Sequence, residues 1–305
     1  MKARFMSAID GLWIPIVTPF RNGAVDLDAA QRLALEFAGS GVDGIVVCGT
    51  TGEAATLEEH EQAAMLSAVR EAVGRRCGVA MGLAGSDSRV VARKAACYSR
   101  LDADALLVSP PSYVCPSQEG ILAHFREVAS ATDLPVILYN IPARTGVTIE
   151  QATFMALAQD SRFVAVKQCG GNQAQLMDLI SESGLKVFCG DDTAIFTTLC
   201  LGGHGAISAA AHIRPDLYVR LYNLVGAGDV IEARALFYAL LPLIRLLFSE
   251  PNPGPVKAAL ARQGRIRDEL RLPMTPMSGP GRDRLACVLD QVMALPASAT
   301  ASRIS

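Results

Sequence analysis

The chain contains few lysines and few histidines, and these shortages exclude several kinds of chemistry. Five lysines and four histidines occur among 305 residues, and the formal net charge is −2. A nearly neutral chain has no basic field with which to hold nucleic acid. The sequence also lacks the H-E-x-x-H pattern of zinc peptidases and the G-x-x-x-x-G-K-[ST] loop of nucleotide-binding enzymes. We therefore expect no metal site, no nucleotide cofactor and no nucleic-acid partner.

Long apolar runs and paired cysteines are also missing. No apolar run is long enough to cross a bilayer, although half of the residues are hydrophobic. The first seven residues lack the apolar core of a signal peptide. The eight cysteines include no C-x-x-C pair, which is typical of buried thiols in a reducing compartment rather than of disulfides or a zinc site. We expect a cytoplasmic protein without a membrane partner.

Short apolar segments alternate with longer helical patterns eight times along the chain. The predicted strands are Gly11–Thr18, Asp43–Cys48, Cys77–Met81, Ala105–Val108, Pro135–Tyr139, Phe163–Lys167, Lys186–Cys189 and Gly205–Ser208. Short strands that are apolar throughout are typical of a parallel sheet covered on both faces. Eight β/α units in this length predict a closed (β/α)8 TIM barrel, with a doubly wound open sheet as the structural alternative.

Helical patterns fill the segments between and after these strands. The predicted helices are Asp28–Ser40, Glu58–Val73, Ser88–Leu101, Gln118–Ala131, Glu150–Gln159, Asn172–Ser181, Thr193–Leu201 and Asp216–Val225. Two helices are expected to begin with capping boxes, at Thr56–Glu59 and Thr148–Gln151. We predict a barrel domain over residues 1–228, a C-terminal helical region over 229–295 and a disordered tail over 296–305.

Lys167 lies at the end of the predicted sixth strand, in an apolar setting. Burial disfavours an ammonium ion, so we expect the pKa of Lys167 to fall from about 10.4 toward neutrality. A neutral amine can attack a carbonyl carbon and form a Schiff base, whereas arginine stays protonated. The structural alternative is that Lys167 only ends a strand and extends its amine to water.

Other polar residues follow the remaining strands, and the carboxyl ends of barrel strands form one mouth. These residues include Thr50, Thr51, Glu53, Tyr113, Tyr139, Arg144 and Ser208. Each has a structural alternative, such as a turn, a core aromatic or a surface ion pair. Asp191-Asp192 is expected to cap the next helix, and His204 and His212 to lie near the mouth without a catalytic role.

Taken together, these groups favour chemistry on a keto acid. Tyrosine and threonine hydroxyls can move the protons that Schiff-base formation requires. Backbone N–H groups around Thr50–Gly52 could hold one carboxylate, and Arg144 could bind a second in bidentate fashion. The combination predicts an α-keto acid bound as an imine and joined to, or cleaved from, a second molecule.

Several stretches resemble the dihydrodipicolinate synthase / N-acetylneuraminate lyase family of pyruvate-dependent class I aldolases. They are Gly49-Thr50-Thr51-Gly52-Glu53, Tyr139-Asn140-Ile141-Pro142, Lys167, Gly190-Asp191-Asp192 and Gly202-Gly203-His204-Gly205. Further stretches are similar to its synthase branch: Arg144-Thr145-Gly146, Pro116-Ser117-Gln118-Glu119-Gly120, Glu250-Pro251-Asn252-Pro253 and Leu272-Pro273-Met274-Thr275-Pro276. The resemblance runs from about Gly11 to Pro276.

The resemblance implies a role for each site residue. Pyruvate would form an imine on Lys167 with no other cofactor, while Tyr139, Thr50 and Tyr113 relay protons, Tyr113 from a neighbouring subunit. Thr51, Gly190 and Ile207 would lie against pyruvate, and Arg144 would bind the carboxylate of L-aspartate 4-semialdehyde. The family also implies a homotetramer built from tight dimers and a step in lysine and diaminopimelate biosynthesis.

One departure from the family pattern keeps an alternative function open, and another bears on regulation. Gln168 follows the lysine where many synthases have an acidic residue, so a retro-aldol lyase for a 2-keto-3-deoxy sugar acid, sialic acid or 4-hydroxy-2-oxoglutarate remains possible. A non-catalytic keto-acid sensor is the alternative from another class. The positions that bind feedback lysine in sensitive members correspond here to Glu59, Gln62, Ser86, Val90 and Ser112. We therefore predict weak or absent inhibition by lysine.

Overall fold

Eight parallel strands close into a barrel in the computed structural model, which describes residues 9–296. The strands are β1 (Gly11–Pro15), β2 (Gly44–Val47), β3 (Gly78–Leu83), β4 (Ala105–Val108), β5 (Val136–Asn140), β6 (Phe163–Gln168), β7 (Lys186–Cys189) and β8 (Gly205–Ile207). Each strand pairs with the next, and β1 pairs with both β2 and β8. The predicted TIM barrel is confirmed, and the doubly wound sheet is wrong.

A helix follows each strand, and three more complete the described chain. They are α1 (Leu27–Gly39), α2 (Glu59–Val73), α3 (Ser88–Tyr98), α4 (Gln118–Ser130), α5 (Gln151–Ala158), α6 (Gln173–Glu182), α7 (Ile195–Cys200), α8 (Pro215–Gly226), α9 (Val230–Leu247), α10 (Gly254–Arg262) and α11 (Gly279–Met293). A single helical turn, Pro142–Thr145, follows β5, and Phe20–Arg21 pairs with Ala24–Val25 outside the barrel. The predicted elements agree to within a few residues, although β1 ends at Pro15 rather than at Thr18.

Both predicted capping boxes are wrong. The box at α2 is formed by Glu58 and Glu61, and the Glu58 N–H donates to Glu61 Oε2 at 3.0 Å. The Thr56 hydroxyl donates instead to the Glu53 carbonyl oxygen at 3.0 Å. At α5 the cap residue is Glu150, whose side chain makes no capping bond.

Apolar side chains fill the barrel interior as well as the layer between strands and helices. The Trp13 and Phe188 rings meet edge to face inside the barrel, with centroids 6.4 Å apart. A Cβ atom at Gly44 would lie 2.3 Å from the Trp13 ring, so only glycine fits beside the indole. Inward and outward positions alternate along each strand. On β6 this alternation turns Lys167 into the barrel and Gln168 out of it.

The C-terminal helices pack back onto the barrel. The Arg214 guanidinium, just before α8, donates to the carbonyl oxygens of Val292 and Leu295, each at 3.1 Å. The division into domains at residue 228 stays a prediction. Most of the predicted disordered tail, residues 297–305, lies outside the described residues, as do residues 1–8. Within residues 9–296 no helix is both long and apolar enough to span a membrane.

Candidate active site

A cavity of about 830 Å³ opens at the carboxyl ends of the barrel strands. Seven of the eight predicted site residues border it: Thr50, Thr51, Tyr139, Arg144, Lys167, Gly190 and Ile207. A second cavity of about 340 Å³ shares Thr50, Tyr139, Arg144 and Asn252 with the first. The mouth of the barrel therefore brings together residues from five different strand ends.

Lys167 and Tyr139 are neighbours because their strands are in register. The two residues are direct partners in the pairing of β5 with β6, so both side chains turn into the barrel at the same level. Lys167 is 6% exposed, and its Nζ donates to Tyr139 Oη at 3.4 Å. The same nitrogen lies 4.4 Å from the centre of the Tyr139 ring. The alternative of an amine extended to water is wrong.

Thr50 extends this contact into a chain of three groups. Its Oγ1 lies 3.5 Å from Tyr139 Oη, and either hydroxyl can be the donor. Amine, phenol and hydroxyl thus follow one another in a series, with both distances longer than a usual hydrogen bond, as is common in catalytic sites without substrate. Such a chain can carry a proton between the amine and the strand end that bears Thr50.

Burial and neighbouring groups act in opposite directions on the amine. Burial is the largest influence and lowers the pKa of Lys167, but Tyr139, Cys169 and Asp192 together outweigh it, so this pKa is raised. The expected fall is therefore wrong. Burial also raises the pKa of the Tyr139 phenol and of the Cys169 thiol, against the opposing effect of the lysine charge. Attack by Lys167 thus requires a proton acceptor, and Tyr139 Oη is in contact.

Because Gly190 has no side chain, the Lys167 side chain can pass beside it. A Cβ atom there would lie 2.8 Å from Lys167 Cε and 2.2 Å from Cys169 Sγ. Ile207, the last residue of β8, is buried and also lines the cavity. Cys169 also lines the cavity. The sequence indicated Cys169 only as one of several buried thiols.

The loop Gly49–Glu53, between β2 and α2, is held by contacts that the sequence did not indicate. Glu53 has a positive φ of 53°, and its buried carboxylate pairs with the buried ammonium of Lys257 on α10. Lys257 Nζ also donates to the Glu269 carbonyl oxygen at 2.8 Å. Burial, opposed by Glu53, lowers the pKa of Lys257. The sequence signal that could have indicated this buried ion pair is a lysine inside the otherwise apolar run Pro255–Leu260.

Arg144 lies in the helical turn after β5 and lines both cavities. Its side chain is exposed, and its guanidinium makes no hydrogen bond or ion pair with any of residues 9–296. Five N–H donors are therefore free to hold a carboxylate at the mouth.

Tyr113 is the predicted site residue that the single chain does not bring to the cavity. It is 92% exposed and lies on the loop after β4, with a positive φ of 72°. Its neighbour Ser112 borders the second cavity. The role of Tyr113 in a neighbouring subunit stays a prediction.

Gln168 does not line the cavity, although it follows the candidate nucleophile. Its Oε1 accepts from Asn140 Nδ2 at 3.1 Å, and its amide donates to the Gly170 carbonyl oxygen at 3.1 Å. The side chain thus holds β5 against β6 on the outer face. This departure from the family pattern does not change the groups that face a substrate.

The acidic pair after β7 divides into two roles. Asp191 accepts from the Thr193 N–H at 3.1 Å, as expected of a cap. The cap prediction is wrong for Asp192, which is buried and accepts from Ser208 Oγ and, at 2.9 Å, from the Ala210 N–H. Burial raises the pKa of Asp192 despite these bonds.

The two histidines predicted to lie near the mouth have structural contacts. His204 precedes β8 and therefore lies at the opposite end of the barrel, where its Nδ1 accepts from the Val187 N–H at 3.1 Å. His212 is fully buried, and its Nε2 accepts from the Val17 N–H at 3.1 Å. Within the described part of the chain, no group of three or more histidine, cysteine or acidic side chains could hold a metal ion.

Comparison with known proteins agrees with this geometry. Residues 8–292 match the family described as the dihydrodipicolinate synthetase family. The 4-hydroxy-tetrahydrodipicolinate synthase of Syntrophobacter fumaroxidans is 41% identical over 278 residues, which cover 90% of this chain and 96% of the relative. That of Thermodesulfovibrio yellowstonii is 41% identical over 283 residues, 92% of this chain and 97% of the relative.

A solved structure is similar over the same range. The chloride-inhibited dihydrodipicolinate synthase of Acinetobacter baumannii, in complex with pyruvate, superimposes with a TM-score of 0.91 at 33% identity. The match covers 93% of this chain and 99% of that structure. Both the family match and the structural match extend over nearly the whole chain, and the chain therefore belongs to the dihydrodipicolinate synthetase family.

Proposed function

We propose that the chain condenses pyruvate with L-aspartate 4-semialdehyde to give 4-hydroxy-tetrahydrodipicolinate, by way of an imine on Lys167. The observation that carries this proposal is the chain of contacts from Lys167 Nζ to Tyr139 Oη to Thr50 Oγ1 at a cavity wall. The names of the relatives and the pyruvate complex of a related structure support the same reaction.

In this proposal Lys167 acts as the nucleophile and Tyr139 as the proton carrier. The amine, having passed its proton to the Tyr139–Thr50 chain, adds to the keto carbon of pyruvate and gives a carbinolamine. Return of a proton to the carbinolamine oxygen lets water leave and forms the imine. Loss of a proton from the methyl carbon then gives an enamine, whose carbon attacks the aldehyde carbon while the aldehyde oxygen takes up a proton. The amino group of the added semialdehyde then attacks the imine carbon and displaces the Lys167 amine, which closes the ring of the product and frees the lysine. The imine itself is the electron sink, so the reaction needs no added cofactor.

The remaining cavity residues divide between the two substrates. Thr51, Gly190 and Ile207 would lie against pyruvate, with N–H groups of the Gly49–Glu53 loop beside its carboxylate. Arg144, without a protein partner among residues 9–296, would bind the carboxylate of the semialdehyde. This arrangement favours a short carboxylated partner over a long sugar acid.

We extend the proposal to a cytoplasmic homotetramer built from tight dimers, in lysine and diaminopimelate biosynthesis. The exposure of Tyr113 and Val114, at 92% and 55%, supports a subunit contact at this loop. All eight cysteines are free thiols, as expected in a reducing compartment.

Borohydride reduction in the presence of pyruvate tests the imine. We expect a stable adduct on Lys167, detected by peptide mass spectrometry, and none in Lys167→Arg, because guanidinium is not a nucleophile. Absence of an adduct in the native chain would favour a non-catalytic keto-acid sensor.

A substrate panel then separates synthase from lyase. Turnover with pyruvate and aspartate semialdehyde is expected, whereas cleavage of a 2-keto-3-deoxy sugar acid, sialic acid or 4-hydroxy-2-oxoglutarate at a higher rate would identify a retro-aldol lyase. Arg144→Ala should weaken the use of the semialdehyde and leave pyruvate trapping intact.

A further inference from the structure

Asn252 connects the C-terminal part of the chain to the candidate pyruvate site. It lies just before α10 and lines both cavities. Its Nδ2 donates to Thr51 Oγ1 at 2.9 Å, across 201 positions of sequence. Thr51 is 4% exposed, so its hydroxyl has few directions left in which to bond.

The direction of this bond determines what the Thr51 hydroxyl can do. A hydroxyl carries one proton and can accept as well as donate. Because Oγ1 already accepts from the Asn252 amide, its own proton remains to be donated, and no other described residue accepts it. The neighbouring surface is the cavity in which the Lys167 amine stands. Thr51 is therefore arranged as a donor toward an anionic ligand.

The segment that carries Asn252 is itself held firmly against the same loop. Lys257, five residues further along, pairs with Glu53, and both side chains are at most 1% exposed. The Arg271 N–H donates to Glu53 Oε2 at 3.2 Å. Thr51 and Glu53 are thus both tied to the C-terminal segment, which fixes the position of Asn252 relative to the hydroxyl.

We propose that Asn252 is a positioning residue, which holds the Thr51 hydroxyl as a hydrogen-bond donor to the carboxylate of the bound α-keto acid. The inference rests on the proposed function, because it requires a keto acid joined to Lys167. It assigns to the C-terminal segment a part in selecting anionic substrates. Asn252 acts through Thr51 and needs no contact with the reacting carbon.

The substitution Asn252→Asp reverses the bond with little change in shape. A carboxylate only accepts hydrogen bonds, so the Thr51 proton would turn toward residue 252 and away from the ligand. The pyruvate concentration that gives half-maximal borohydride trapping, and the KM for pyruvate, should rise about tenfold or more, since bonds to charged groups are the stronger ones. Asn252→Ala leaves the Thr51 hydroxyl proton free to bond to the ligand, so these two quantities should rise only about threefold.

The controls separate this role from charge and from general damage. Asn223→Asp adds the same charge at an exposed position on α8 and should leave trapping unchanged. Thr51→Val removes the hydroxyl. In the Thr51→Val background, Asn252→Asp should raise the pyruvate concentration for half-maximal trapping only a little further, because the Thr51 hydroxyl through which Asn252 acts is already absent.

Three outcomes would overturn the inference. The first is native-like pyruvate binding by Asn252→Asp, as expected if the amide oxygen accepts from Thr51. The second is an effect of Asn252→Ala as large as that of Asn252→Asp, which indicates a structural role. The third is that the effects of Asn252→Asp and Thr51→Val on pyruvate binding are fully additive, which indicates direct repulsion between the new carboxylate and the ligand. Failure of the native chain to trap pyruvate would instead remove the imine, and the inference with it.

Discussion

Burial of Lys167 and its contact with Tyr139 act on the amine in opposite directions. Burial favours the neutral form, whereas the phenol, the Cys169 thiol and the Asp192 carboxylate favour the ammonium. Two opposing effects also act on the phenol, since burial raises the pKa of Tyr139 and the lysine charge lowers it. Because the two groups are in contact, their protons belong to the pair rather than to either residue. The pair is thus arranged to exchange a proton, which a Schiff-base amine requires.

This coupling predicts a change of pH dependence in Tyr139→Phe. Removal of the phenol takes away the strongest influence that raises the pKa of Lys167, and only Cys169 and Asp192 then oppose burial, which lowers it. The free amine should then become abundant at lower pH. We expect the pH at which pyruvate trapping is half-maximal to move down, while the trapping rate falls by about 10²–10⁴-fold because the proton carrier is lost.

Rates of borohydride trapping measured across the alkaline range would check this prediction. Tyr238→Phe is the matched control, since Tyr238 is 61% exposed on α9 and should leave both rate and profile unchanged. A profile of Tyr139→Phe that stays in place, or moves up, would contradict the assigned coupling.

At the scale of elements, an ion pair inside the protein joins the loop after β2 to α10. The Glu53 and Lys257 side chains are 1% and 0% exposed, and the ammonium also lies 4.2 Å from the centre of the Phe20 ring. Removing one member of such a pair leaves an uncompensated buried charge, which typically costs about 3–5 kcal/mol. The pair therefore couples the stability of the barrel mouth to the C-terminal helices.

A double-mutant cycle on this pair is our prediction for the element scale. Lys257→Met should lower the free energy of unfolding by about 3–5 kcal/mol. The combination of Glu53→Gln with Lys257→Met should lower it by less, since no charge is then left buried. Chemical denaturation measures all four proteins of the cycle.

An exposed ion pair provides the control for that cycle. Arg262 and Asp290 lie 3.9 Å apart with side chains 48% and 74% exposed. Arg262→Met should change the free energy of unfolding by less than about 1 kcal/mol. A double variant at Glu53 and Lys257 that is less stable than Lys257→Met alone would contradict the assigned coupling.

The elements themselves could be predicted from the sequence because their signals are local. Runs such as Ala105–Val108 are apolar and short, and their repetition indicates a parallel barrel. Helix starts were less predictable, since the Thr56 hydroxyl binds the Glu53 carbonyl oxygen instead of capping α2. The contacts of Asn252 and Lys257 could not be predicted, because only the folded chain brings them to Thr51 and Glu53. Similarly, the raised pKa of Lys167 depends on neighbours from other strands.

At the scale of the whole molecule, the proposed proton path would be incomplete in a single chain. Lys167, Tyr139 and Thr50 are linked within the barrel, but the Tyr113 side chain extends into solvent. The second cavity, bordered by Ser112 and by Thr50, opens beside the loop that carries Tyr113. In a symmetric dimer the same loop of a second copy can approach this cavity. Exchange of Tyr113 between subunits would complete two sites at once.

Mixing two inactive variants would test this exchange. Tyr113→Phe retains Lys167, and Lys167→Arg retains Tyr113, so a mixed dimer contains one site with both groups if Tyr113 acts across the interface. Random reassembly in equal amounts makes half of the dimers mixed, each with one intact site of two, so we expect roughly a quarter of the native activity. If Tyr113 served its own chain, every site in the mixture would lack one group, and activity would not rise above that of the separate variants. Refolding the two together from denaturant, with each variant refolded alone as reference, distinguishes the arrangements because subunit exchange is the only difference between the samples.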